Sequence, residues 1–420
     1  MNSVINLDIR SEVGELEAVL IHTPGQEVEN MTPRNAERAL YSDILNLNIV
    51  QREYAQFKSI LEKFTRTLEM KDLLREILQN KTARERLIDH ICRNEQAECL
   101  AQELLDYSAR ELATLLIEGV PLKKDTLTRF MSGERYALQP LHNFFYMRDS
   151  AITVFDNVLI ARMASQVRER EAIIMEAIFD FHPLFRTTTF NPVNFPDYHP
   201  KITIEGGDLL IAREDILLIG LGARTTTYGV DFILERLKEH GLNTHVLVQE
   251  LPHQPESFIH LDMVFTFLDT HTCLIYEPLI LDPNRYRTIH ISVANGEVEQ
   301  IEEEKNLLEA LDKLNMPVDY IPCGGKHDEW IQEREQWHSG ANFFALAPGK
   351  VMGYGRNVHT MEALNQHGFE ILSAQAILDG RVNPQDYHRF AIAIDGSELA
   401  RGGGGCRCMT MPLRRKLPPQ

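Results

Sequence analysis

The chain has 420 residues, 44% of them apolar and 25% charged, the composition of an ordinary globular protein large enough to build a core without disulfide or metal staples. Its formal net charge of −18 repels phosphate backbones and argues against a nucleic-acid binder. The N-terminus has no basic start followed by a signal-like apolar run, and no window reaches the ~18–20 apolar residues of a membrane span. The six cysteines are scattered rather than framed, so a cytoplasmic chain with reduced thiols is expected.

Two textures follow along the chain. Between Gln26 and Glu118 there is no glycine, and Pro33 is the only proline. Apolar residues recur there at helical spacing, as in Leu61, Phe64 and Leu68, then Leu73, Leu74, Ile77 and Leu78. Thr82-Ala-Arg-Glu85 and Ser108-Ala-Arg-Glu111 read as capping boxes, and Gly119 stands where a helix would end. Residues 51–135 are expected to form a helical insert domain between residues 1–50 and 136–420.

The remainder repeats a different unit: apolar strand, short polar turn, apolar strand, then often a helix. Ala151–Phe155 turns into Val158–Ala161, Asp208–Ala212 into Ile216–Ile219, Leu261–Leu268 into Cys273–Tyr276, and Asn342–Leu346 into Lys350–Met352. Glu15–His22 and Phe390–Ile394 could complete a fifth unit. The pattern points to a ring of similar sheet units about one axis, with an ordinary α/β sheet as the alternative. In a ring, a polar residue beside each strand pair would converge at the centre, and Asp149, Glu205, His260 and Cys408 are placed to do so.

Four local patterns could carry chemistry. Arg401-Gly-Gly-Gly-Gly-Cys-Arg-Cys408 lets backbone pass close to a ligand and delivers a thiol, a nucleophile if its pKa is lowered. The same stretch can be read as a flexible tail, and Cys406-Arg-Cys408 lacks the second cysteine pair of a zinc site. His260-Leu-Asp262, taken as strand, places an imidazole and a carboxylate on one face, which suits proton transfer beside a cation. Glu205-Gly-Gly-Asp208 and Asn143 to Asp149 each offer a carboxylate at the mouth of a strand, where a plain turn or strand terminator is the bland reading.

Taken together these segments resemble the arginine deiminases of the guanidine-modifying superfamily. The opening from Ser11 to Gly25, then Arg148-Asp149, Glu205-Gly-Gly-Asp208, Gly220-Leu-Gly-Ala-Arg-Thr225, His260-Leu-Asp262, Arg334-Glu-Gln-Trp337 and the Cys408 loop follow in the family's order. The resemblance implies an α/β fold, a five-bladed pseudo-symmetric αβ propeller with an inserted helical bundle. It implies that Cys408 attacks the guanidinium carbon of L-arginine, that His260 is acid and base, and that Glu205 supports it. Asp149 and Asp262 would grip the guanidinium nitrogens. Arg168 and Arg224 would hold the substrate carboxylate, Asn143 would meet the amino-acid end, and Asp208 would have a supporting part in the same substrate site.

The expected reaction gives citrulline and ammonia through a covalent cysteine intermediate, with no metal or organic cofactor. L-Arginine is the expected partner, with no nucleic acid and no membrane, and association with further copies of the chain is expected. Two departures bear on carboxylate recognition: Gly403 stands where some members have a further arginine, and Cys406 where glycine or proline is more usual. Competing readings within the superfamily take dimethylarginine, agmatine or citrulline as substrate, or transfer the amidino group. A silent arginine-binding propeller is a reading of another class. Two arginines for a carboxylate speak against agmatine, the helical insert against the shorter dimethylarginine enzymes, and a thiol that a binder does not need against the sensor.

Overall fold

The computed structural model describes residues 4–33, 36, 41, 43–196, 198–281, 283–326 and 328–418. Five sheets of three or more strands make the ring. Each holds an antiparallel strand pair, a hairpin in four of them, and gains a third strand parallel to the second, after the chain has crossed over. In the first, Ala151–Val154 pairs with Asn157–Ile160, and helix Glu169–Phe181 leads to Thr189–Phe190. In the second, Leu209–Arg213 pairs with Ile216–Leu221, and helix Thr227–Glu239 leads to Thr244–Glu250. The third joins Phe265–Phe267, Thr272–Ile275 and Asp319–Pro322, and the fourth joins Phe344–Ala347, Lys350–Tyr354 and Phe390–Ile394. Parallel pairing requires such a crossover, and a helix supplies it while covering one face of the sheet.

The fifth sheet closes the ring across the whole chain. Met411–Arg415 pairs with Leu16–Ile21, and helix Leu47–Phe64 carries the chain on to Arg66–Glu69, parallel to Leu16–Ile21. Two expectations are corrected here. Phe390–Ile394 does not complete the fifth unit; it is the third strand of the fourth sheet, and Met411–Arg415 takes the expected place. The helical region was expected to start at residue 51, yet its first helix and the strand after it belong to this sheet. Periodicity reports a helix but not the surface it covers, so the crossover helix read as part of the bundle.

Helices Met70–Ile77, Lys81–Asn94, Ala101–Asp106 and Ala109–Glu118 follow. Ser108 and Glu111 form the capping box expected of them, and Gly119 (φ 97°) ends that helix with its N–H on the Leu115 carbonyl. Thr82 is not a cap: Asn80 starts its helix instead, accepting from the Ala83 amide. The apolar faces of these helices do not close on one another alone. Leu74, Ile77, Leu87, Ile88 and Ile91 share one core with Ile173, Ile174 and Ile178 of the first sheet's helix. That helix is consequently buried nearly all round. Arg170 of the same helix pairs with Glu95, tying the two regions by charge as well. No described helix is long and apolar enough to cross a membrane.

Candidate active site

The four residues expected at the centre of the ring each sit just ahead of the first strand of a sheet. Asp149 lies in the single turn Met147–Ser150, before Ala151–Val154. Glu205 begins the turn Gly206–Asp208, before Leu209–Arg213, and His260 begins the turn Leu261–Met263, before Phe265–Phe267. His260 and Asp262 therefore lie on a helical turn and not on the strand assumed for them, and their shared strand face is lost. Cys408 lies in the turn before Met411–Arg415. The remaining sheet contributes Asn342, two residues ahead of Phe344–Ala347. Asn342 was not singled out from sequence. Its place at the head of a hairpin, matching the other four, is the signal that would have found it.

These turns converge on a narrow cavity of about 60 Å³, walled by Asn143, Asp149, Arg168, Arg224, His260 and Cys408 among others. Larger hollows exist elsewhere, but they bring together none of these groups. His260 Nε2 is 3.0 Å from Glu205 Oε2, and its Nδ1 is 3.6 Å from Asp149 Oδ1. Burial alone would lower the imidazole pKa, but Asp149 and Glu205 outweigh it and raise it to about 9. Burial would raise the Glu205 carboxyl, yet its bond to His260 and the charge of Arg224 hold it down to about 2. The site is thus poised with an imidazolium and an ionised Glu205 at neutral pH. Gly207 permits this approach, since a Cβ there would stand 2.4 Å from His260 Nδ1.

Asp149 holds Arg168 with one oxygen, Oδ2 to Nη1 at 2.7 Å, while its Oδ1 has no hydrogen-bond partner. Arg168 is also gripped by Glu171, at 2.8 Å from Nη2 and 3.1 Å from Nε. Glu171 was not foreseen. Arg224 is less engaged: its Nη1 stands 4.0 Å from Glu205 Oε1, beyond hydrogen-bond reach. Asn143 lines the cavity as expected, and its carbonyl accepts from the Tyr146 amide.

Three expected residues do not line the cavity: Glu205, which stands behind His260, Asp262 and Asp208. Asp262 is fully buried and does not line the cavity: its Oδ2 accepts from Arg407 Nη1 at 2.8 Å, and both oxygens lie 3.7–3.9 Å from Cys408 Sγ. On the cavity wall the expected carboxylate pair is met by Asp149 alone. Asp208 also lies outside the cavity, accepting from the Leu261 amide at 3.0 Å and the Thr225 hydroxyl at 2.6 Å. It braces the His260 turn, and burial pushes its carboxyl up to about 7. Neither placement could be read from sequence, because Arg407 reaches Asp262 from a distant segment and Thr225 reaches Asp208 from beyond the second strand of the same sheet.

The Cys408 thiol is 3% exposed, and burial followed by the charges of Asp262 and Asp149 pushes its pKa well above the ordinary value. Asn342 Nδ2 is 3.2 Å from Sγ. Cys406 is fully buried away from the cavity, with its thiol also pushed up by burial. Trp337, 45% exposed, and Arg401 stand at the cavity wall. Arg401 is paired with Asp43 and Glu398.

Two groups among the described residues bring possible metal ligands within 4.8 Å: Asp149 and His260 of the cavity with Glu205 behind them, and His290, Glu302 and Glu304 at the edge of the second sheet. In the first, the imidazole is drawn towards protonation, which opposes metal ligation.

A ring of five such sheets with its polar turns gathered at the axis is a pentein, the five-bladed αβ propeller. Solved structures share the fold: SxtG, an amidinotransferase from Microseira wollei, aligns with a TM-score of 0.53 at 13% identity, covering 99% of each chain. The N-terminal domain of ArgZ, solved with a covalently bound reaction intermediate, aligns with a TM-score of 0.52 at 13% identity, covering 96% of this chain and 99% of that one. The family profile described as "Arginine deiminase" matches residues 37–415. An arginine deiminase of Bacillus thuringiensis subsp. konkukian is 34% identical over 98% of both chains, and one of Listeria monocytogenes is 32% identical over the same share. The chain belongs to the arginine deiminase family.

The buried imidazoles also set a limit on stability. His22, like His260, would be lowered by burial but is raised to about 9, here by Glu27 and Glu69. A group whose folded pKa lies above its unfolded value stabilises fully below the unfolded value, near 6.5, and loses that contribution as pH rises through the folded one. Thermal stability is therefore expected to fall between pH 6.5 and 9.5, by on the order of 3 kcal/mol for each imidazole. In His22→Gln the alkaline fall should shrink. A melting temperature that is flat over this range would show that neither imidazole gains its proton on folding.

Proposed function

We propose that the protein hydrolyses L-arginine to L-citrulline and ammonia through a covalent intermediate on Cys408. The observation that carries this reading is one narrow cavity shared by a thiol, an imidazolium and an unsatisfied carboxylate oxygen, with an arginine at its wall. The free Oδ1 of Asp149 suits a guanidinium N–H, and a bound cation beside Cys408 offsets the acidic surroundings that hold the thiol protonated. The thiol releases its proton to solvent, and the thiolate adds to the guanidinium carbon. His260, already charged, gives its proton to the nitrogen that leaves as ammonia. The neutral imidazole next takes a proton from water, which attacks the amidino carbon; the C–S bond then breaks, and the hydroxyl proton passes to the departing sulfur, leaving neutral citrulline and the Cys408 thiol. Glu205 orients His260 and stabilises its charged form, and Asp262 sets the field behind the sulfur. The names of the related proteins support the same substrate. We place the reaction in the cytoplasm, in keeping with six cysteines free of disulfides. Association with further copies of the chain, expected from the sequence, is read by light scattering.

Incubation with arginine and assay for citrulline and ammonia tests the reaction. Substrate choice tests the wall. Arg168 has two carboxylate partners already, so Arg224 is assigned to the substrate carboxylate. Losing a charge pair in a desolvated site costs about 2–5 kcal/mol, so agmatine, which lacks the carboxylate, should be turned over with a kcat/KM lower by about 30-fold or more. Arg224→Ala should narrow the gap by harming arginine far more than agmatine. Equal kcat/KM for both substrates in the unmutated protein would overturn the assignment.

A further inference from the structure

We infer that Asn342 is a positioning residue for the nucleophile, holding the Cys408 loop through its side-chain oxygen and favouring the thiolate through its side-chain N–H. The inference rests on the reading of Cys408 as nucleophile given above.

The orientation of the amide is fixed by its neighbours. Its Oδ1 accepts from the backbone N–H of Arg407 at 2.9 Å and of Cys408 at 3.2 Å, and backbone N–H groups can only donate. Nδ2 must therefore face the other way. One of its hydrogens goes to the Asp262 carbonyl, at 3.0 Å, and Nδ2 lies 3.2 Å from Cys408 Sγ. Asn342 is 1% exposed, so this bond forms out of water. Gly405 makes the arrangement possible, since a Cβ there would lie 2.6 Å from Asn342 Oδ1.

Burial and the acidic neighbours of the sulfur oppose ionisation, against smaller help from the Gly405 backbone and the charge of Arg407. Both oxygens of Asp262 lie within 4 Å of it, and Asp149 adds to the acidic field. A neutral amide donor stabilises a thiolate more than a thiol, and it does so without adding a charge that would repel a cationic substrate. An arginine or lysine at this place would lower the thiol pKa as well but would compete with guanidinium binding. An asparagine amide can accept two backbone N–H groups and still donate to sulfur.

The test is the pH dependence of Cys408 alkylation by iodoacetamide in the substrate-free protein, read by mass spectrometry of the Cys408 peptide. In Asn342→Ala the midpoint should move up by about one pH unit or more, so that alkylation near neutral pH slows by roughly tenfold. Asn342→Asp keeps the acceptor oxygen and the shape but turns an acceptor towards sulfur, and its midpoint should move at least as far. It stands in should Asn342→Ala not fold, as judged by circular dichroism. In the unmutated protein the Asn342 side-chain amide resonance should titrate with the Cys408 midpoint. Unmoved midpoints in folded variants, or an amide resonance that stays put while the thiol ionises, overturn the inference. Neither readout requires turnover. A protein that makes citrulline but shows no shift keeps the proposed function and loses the role of Asn342; one that makes none but shows the shift does the reverse.

Discussion

Cys408→Ala is expected to fold, to bind arginine and to form no citrulline, with kcat lower by at least about 10⁴-fold. Removing Sγ deletes one partner of Asn342 Nδ2, which keeps its bond to the Asp262 carbonyl, so the loop has no new unsatisfied donor of consequence. The other cavity groups remain to bind the substrate. What is lost is the only thiol on the cavity wall among the described residues, and with it the covalent route. A rapidly acid-quenched reaction of the unmutated protein should carry an amidino adduct on the Cys408 peptide. Cys406→Ala should keep substantial activity, because Cys406 faces the core and its thiol is pushed away from ionisation. Single-turnover citrulline from Cys408→Ala, or two equally dead variants, would refute the assignment.

Arg407→Met is expected to lose about 3–5 kcal/mol of stability. The guanidinium is 1% exposed and bridges three elements, with Nε and Nη2 each 3.0 Å from an oxygen of Glu12, Nη1 2.8 Å from Asp262 and Nη2 2.9 Å from the Leu209 carbonyl. Removing it strands two buried carboxylates whose desolvation it offsets. Burial would raise the Glu12 carboxyl, and Arg407 is the leading reason that it is instead held at about 2. Adding Glu12→Gln to Arg407→Met should recover part of the loss, since one stranded charge is then neutral. Urea denaturation checks this, and a single variant within about 1 kcal/mol of the unmutated protein would show that the bridge contributes little. Asp262 would also be left without its partner beside Sγ, so activity should fall further than stability explains.

Much of the ring was legible because its hairpins carry their turns in plain sight: Asp156-Asn157 and Pro348-Gly349 punctuate apolar runs, and Gly349 takes a φ of 70° at its turn. The third strands were not, since Thr189–Phe190 and Asp319–Pro322 are short and their pairing is decided by a helix laid across the sheet. Residues that approach the axis on their own turns, Asp149, His260 and Cys408, could be named from the strands they precede. Asn342 followed the same rule and was passed over because an amide carries no charge to draw notice. Arg407 and Glu171 act through partners far away in sequence or already spoken for, and nothing local distinguishes them from solvated charges.

The closure of the ring by Met411–Arg415 against Leu16–Ile21 also orders events in time. Met411–Arg415 follows every other described strand in the chain, and the nucleophile lies three residues ahead of it. On the ribosome, four sheets can assemble while the fifth holds only Leu16–Ile21 and Arg66–Glu69, with one edge of Leu16–Ile21 open until Met411–Arg415 emerges. A chain interrupted before Met411 would thus be a scaffold without a reaction, and competence would come when Met411–Arg415 meets Leu16–Ile21.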